Sequence, residues 1–346
     1  MKSLKKMIWS QEKFIVEGRK LWFVPYSAGI LCEYDLDSRN MSLVKVIGDD
    51  IDSIDRYVGI DKVGENIILT PSYGDDISIY NCNIDLFSKY HLPISTAGKF
   101  FSTCILDNYV YMFPFSLHTI IRIQFGSNGP EYEEIPTEVN EFISCLQKGN
   151  SIFLVRQTGE LYRYDYRNNN FSLIRKIDAV FKEIVNISDD EFLILDSKGA
   201  FYKYSVSMND LSKLCDCKTV YHGITIRDGY IYAFPERSAN FIDKYMLDDP
   251  YSPEQIEIKV GNPDTSWKYH AFSRAFTFDS KIYVMNVKNQ CLVEIDEKDS
   301  IREYNIEFPE LEEKDMIELL RAGIKRGSVL ENRVTGMDLQ HFISAI

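Results

Sequence analysis

Apolar and polar positions along this chain alternate in a phrase that recurs. The clearest copy is Tyr221 to Pro235, YHGITIRDGYIYAFP, continued by ERSANFIDKYML to Leu247. An aromatic residue opens it, an alternating run follows, Asp228 and Gly229 interrupt, a second apolar run comes next, and a third ends near Tyr245. Period-two alternation broken by Asp-Gly predicts a hairpin, because both turn residues accept the positive φ that a tight two-residue turn requires.

Aligned with itself, the phrase opens at Gln11, Tyr57, Phe100, Phe142, Phe181, Tyr221 and Phe272. Eleven residues after each opener stand Trp22, Ile68, Tyr111, Phe153, Phe192, Tyr232 and Tyr283. Openers are 46, 43, 42, 39, 40 and 51 residues apart. A period near forty with four strand-like runs marks sheets that cannot bury both faces until they stack on copies of themselves. Seven units predict an all-β, seven-bladed β-propeller of four-stranded antiparallel blades over residues 1–308. Both terminal units carry four runs, so closure by an exchanged strand is not required.

After Phe308 the period changes. Residues 309–327 have an apolar stripe, early acids and late bases, which predicts an amphipathic helix matched to its dipole. Thr335 and Asp338 announce a second helix with Leu339, Phe342, Ile343 and Ile346 on one stripe. Residues 309–346 thus read as an α-helical appendage whose stripe either packs on the propeller rim or docks a partner protein.

The units resemble those of the kelch and WD-repeat group of β-propellers over about residues 9 to 308. The likeness is one of architecture, since the kelch paired glycine and the Trp-Asp ending are absent. Pro25, Pro71, Pro114 and Pro235 after the second run, and third runs ending in Tyr-Asp or Tyr-Asn, are similar to a bacterial propeller type. That resemblance implies a scaffold rather than a reaction.

Composition then narrows the partners. With 39 Lys plus Arg against 52 Asp plus Glu, the net charge is −13, which disfavours nucleic acid and anionic membrane. No apolar stretch approaches a membrane span, and seven scattered cysteines read as reduced core residues of a cytoplasmic protein. Cys215 and Cys217 form a spacing too sparse for a zinc site. Asp49, Asp50, Asp52 and Asp55 lack calcium-loop spacing. No metal or cofactor is expected, and no G-x-S-x-G, H-E-x-x-H, P-loop or G-x-G-x-x-G occurs.

Propeller geometry supplies the remaining candidates. Residues just after the openers, Lys13, Lys182, Glu183, His222 and Arg274, are expected near the channel mouth. Loops between second and third strands add Tyr26, Tyr73, His118, Arg156, Glu236 and Arg237 on the same face. Cations converging on one pole of an acidic protein favour an anionic ligand, with Lys13, Arg156, Lys182, Glu183, His222, Arg237 and Arg274 as its site. The alternative is that these charges pair as ordinary salt bridges. Function reads first as non-catalytic binding of a protein partner through one face and the tail. A sensor or enzyme for an anionic small molecule or glycan is the alternative.

Overall fold

A computed structural model describes residues 13–25, 30–47, 57–72, 74–92, 98–126, 129–259 and 270–306. They form seven sheets, each of four consecutive antiparallel strands, which is the fold of a seven-bladed β-propeller. Among these residues there is no helix, and no strand is exchanged between the first and last sheets. The expected helices at 309–346, with Leu339, Phe342, Ile343 and Ile346, lie outside the described residues, as do Gln11, Tyr26, Tyr73 and the aspartates at 49–55.

The chain forms two compact units. One holds blades one and two with residues 290–292 and 303–306 of the last blade; the other holds blades three to six and the rest of blade seven. Within the second unit the first strands of successive blades lie against one another: Phe100–Leu106, Phe142–Lys148, Phe181–Asn186, Tyr221–Arg227 and Phe276–Phe278. These are the inner strands. Second strands such as Glu191–Asp196 and Tyr230–Pro235 are buried at nearly every position. That explains their unbroken apolar runs, because neighbouring blades cover both faces. Fourth strands such as Asp210–Cys215 are largely solvated and alternate.

The openers do the work their chemistry suggests. Tyr57, Phe100, Phe142, Phe181 and Tyr221 are each the first residue of an inner strand, and all are buried. Phe272 instead makes an isolated bridge to Asn286, ahead of a shortened strand at Phe276–Phe278. In the second unit the openers wedge against the preceding blade. Phe142 meets Phe113 at 6.1 Å, Tyr221 lies over Phe201 at 6.0 Å, and Phe272 meets Phe234 at 5.8 Å. Each buried ring contributes about 1.5–3 kcal/mol through area removed from water. Where the opener is Tyr, its third strand answers the hydroxyl: Tyr57 with Ser78 at 2.7 Å, Tyr221 with Asp243 at 2.5 Å. A buried phenol without such a partner would be costly.

The hairpin turns follow their residue types. Asp228 and Gly229 have φ of 52° and 77°, and Asp107 and Asn108 have 50° and 64°. Both pairs are left-handed at both positions, as the two-residue turn demands.

Candidate functional site

One feature of the inner strands is absent from the alternation pattern. In blades two to six the register slips by one residue directly after the opener, leaving Val58, Phe101, Ile143, Lys182 and His222 each unpaired opposite the second strand. A bulge bends its strand and re-aims the extra side chain. In blades two to four that side chain is apolar. In the adjacent blades five and six it is Lys182 and His222.

The next position diverges in the same place. Two residues after the opener stand Gly59, Ser102, Ser144 and Gly223, but blade five has Glu183. Ser144 Oγ accepts from the Ile184 amide of the next blade at 3.3 Å. Glu183 Oε2 does the equivalent for Ile224 at 2.8 Å. The carboxylate fits because position 223 is glycine: a Cβ there would lie 3.3 Å from Glu183 Oε2. Its second oxygen, Oε1, is left to face Arg274 Nε at 3.6 Å. The glutamate is therefore a serine-type strut between blades with a charge added.

Around the two bulges a polar cluster assembles from blades five and six and the entry to blade seven. Lys182 Nζ donates to the Tyr221 carbonyl at 3.0 Å and to the Glu236 carboxylate. Arg237 lies 3.4 Å from the other oxygen of Glu236. The Arg274 guanidinium donates to the Lys182 carbonyl at 3.5 Å, and Lys288 Nζ donates to the Arg237 carbonyl. His222 stacks on His270 with centroids 4.1 Å apart and planes 12° apart. The Ala271 amide, bonded to the Glu236 carbonyl at 2.7 Å, anchors the segment that carries His270.

Burial opposes ionisation of Glu236, but the Lys182 hydrogen bond and the charges of Lys182, Arg237 and His222 outweigh it and hold the carboxyl below its usual range. Among the described residues the cluster brings Lys182, Arg237, Arg274 and Lys288 together with Glu183 and Glu236.

Five candidates, Lys182, Glu183, His222, Arg237 and Arg274, come together here. Arg156 sits in blade four, donating to the Asn140 carbonyl at 2.6 Å and to Glu141 at 2.9 Å, and lying 3.4 Å from Glu160. Lys13 belongs to the other unit, where it pairs with buried Asp61 at 2.5 Å. His270 escaped the sequence reading. It precedes its opener by two residues, outside every strand, and no periodic signal marks it.

The fold and this cluster together define a seven-bladed propeller with a mixed-charge site built on inner-strand bulges. Neither a protein-family model nor a curated protein matches the chain. Among solved structures it is similar to virginiamycin B lyase from Staphylococcus aureus, with TM-score 0.66 and 13% identity over 83% of this chain and 95% of that one. A streptogramin B lyase structure gives TM-score 0.65 and 14% identity over 86% and 95%. The extracellular domain of a one-component system from B. thetaiotaomicron gives 0.62 and 12%, over 81% of this chain and 38% of that one. At these identities the likeness is one of fold. It gives the repeat no kelch or WD-repeat identity, and the named neighbours include both enzymes and a sensor.

Proposed function

We propose that this chain is a ligand-binding propeller whose site is the Lys182, Glu183, His222, Arg237 and Arg274 cluster, and whose ligand is a small anion bearing a carboxylate or phosphate. The observation that carries this reading is that, among the described bulges, those of blades five and six hold a lysine and a histidine, Lys182 and His222. Equivalent positions in blades two to four hold Val58, Phe101 and Ile143, so the repeat itself does not need a charge there. Arg237 and Arg274 provide forked donors suited to planar anions, and Lys182 provides a point charge.

The test is thermal unfolding with inorganic phosphate, citrate and an acidic hexapeptide as probes. A ligand at one hundred times its Kd adds about 2.7 kcal/mol of stability by mass action. At least one probe is expected to raise Tm, and the His222→Ala, Arg274→Ala double variant is expected to lose that shift. No shift with any probe, or a shift retained by the variant, refutes the site.

A second reading draws on the stacked imidazoles beside a carboxylate, since histidine is the commonest general base. A similar solved structure is a histidine-to-alanine virginiamycin B lyase described as catalytically inactive, with quinupristin. Incubation of this chain with virginiamycin B and quinupristin, followed by mass spectrometry, decides whether it consumes either.

The interaction reading, in which Leu339, Phe342, Ile343 and Ile346 dock a partner protein, makes the opposite prediction. Truncation after Phe308 abolishes such an association, whereas the His222 and Arg274 replacements leave it intact.

A further inference from the structure

Two thiols lie close together at the junction of blades five and six. Cys215 ends the outer strand Asp210–Cys215, and Cys217 stands two residues on, in the linker that leads to Tyr221. Both are reduced, with sulfurs 3.7 Å apart. The pair is held rather than loose. Cys215 is 5% exposed and packs with Leu193, Leu195, Phe201, Tyr221 and Tyr245, while Cys217 is half-buried against the same cluster. Gly199 explains why the linker runs so close: a Cβ there would lie 2.2 Å from the Thr219 carbonyl and 3.6 Å from Cys217 Cβ.

From this placement we propose that Cys215 and Cys217 form a redox-active dithiol that closes to an intramolecular disulfide when the protein meets hydrogen peroxide. Thiolate character, not thiol, sets reactivity. The Cys217 hydrogen bond favours ionisation of Cys215, burial opposes it, and a hydrogen bond from the Phe201 backbone favours it again; the balance is a lowered Cys215. Cys217 moves the other way, raised by its bond to Cys215 and by burial. One sulfur is thus set to attack and the other to resolve.

The steps balance. The Cys215 thiolate attacks one peroxide oxygen, the O–O bond breaks, and hydroxide leaves to take up the proton Cys215 had shed, giving water and a sulfenic acid. Cys217 then attacks the Cys215 sulfur, the S–O bond breaks, and the departing hydroxide leaves as water with the Cys217 proton. Two thiols and one peroxide become one disulfide and two waters. Peroxide suits the site because it is small, whereas a bulky disulfide oxidant would not reach a sulfur this buried.

Disulfide sulfurs sit about 2.05 Å apart, so the pair must approach by roughly 1.7 Å, and the linker must tighten to allow it. Closure across one intervening residue is strained, which makes the bond easily reduced.

The experiment treats the full-length protein with substoichiometric hydrogen peroxide, then denatures it, alkylates with iodoacetamide and maps peptides by mass spectrometry. The peptide holding Cys215 and Cys217 is expected to lose two hydrogens and take no label. Cys32, Cys82, Cys104, Cys145 and Cys291 are expected to label fully, and dithiothreitol is expected to restore labelling of the pair. In Cys217→Ser, peroxide is expected to leave Cys215 as a sulfenic acid trapped by dimedone. Full labelling of the pair after peroxide, or oxidation spread evenly over the seven cysteines, overturns the proposal.

Discussion

Arg227 offers the sharpest test of how blades six and seven are joined. Its side chain is 4% exposed, and its donors reach the Ile295 carbonyl at 2.9 Å, Tyr232 Oη at 2.7 Å and Asp299 Oδ1 at 2.7 Å. Asp299 also accepts from Tyr232 at 2.7 Å and from Lys244 at 2.5 Å, so one carboxylate answers two cations and a phenol. Asp299 has φ of 61°, where alanine adds backbone strain of about 1 kcal/mol, so asparagine is the cleaner replacement. Asp299→Asn keeps shape and turn but takes the short carboxylate contact from buried Arg227 and half-buried Lys244, leaving only Asp228 and Glu254, each 3.9 Å away. Removing one partner of a buried pair costs about 3–5 kcal/mol, against about 0–1 for a surface pair. We expect about 3 kcal/mol by urea unfolding followed by circular dichroism. Replacing both partners, Asp299→Asn with Arg227→Met, removes the orphaned guanidinium and should cost at least about 1 kcal/mol less than the two single changes summed. A loss under about 1 kcal/mol for Asp299→Asn, or strict additivity, would refute the reasoning.

Other outcomes follow from particular contacts. Gly199→Ala should cost on the order of 3 kcal/mol, because φ of 92° is strained for alanine and its Cβ meets a backbone oxygen, whereas Gly229→Ala, with open space around it, should cost about 1, both read from urea midpoints. Glu183→Leu should cost about 1–3 kcal/mol by orphaning the Ile224 amide, while Glu183→Ser, copying Ser144, should stay within about 1 kcal/mol; equal losses would show that the strut is not what holds Glu183. Because the Glu236 carboxyl is held below its unfolded value, its contribution to stability is full above the unfolded pKa and is lost as pH falls through the folded one. Acid unfolding of Glu236→Gln should accordingly be less steep over that interval than that of the parent, and an unchanged profile would count against the Lys182 pairing.

The repeat made the strands legible because alternation, aromatic openers and Asp-Gly turns all act within a few residues of chain. Tyr57, Phe100, Phe142, Phe181 and Tyr221 each begin an inner strand because a pleated, half-buried edge selects for a flat, large side chain, and that selection is local. Even Tyr against Phe at the opener has a reason within its own unit, in the hydroxyl partner on the third strand.

What the chain pattern did not carry was the slip after the openers of blades two to six. Alternation tells which face a residue takes only while pairing stays in register, and one extra residue turns the side chain away from that rule. Lys182 and His222 were singled out for standing next to openers, but only the folded blades aim them at Glu236, Arg274 and His270. His270 sits in no strand at all, and the imidazole it stacks on, His222, lies 48 residues away in the chain. Sequence therefore determined the sheets and their number, through short-range periodicity. Tertiary structure alone decided which charges meet, because that depends on register and on packing between blades distant in the chain.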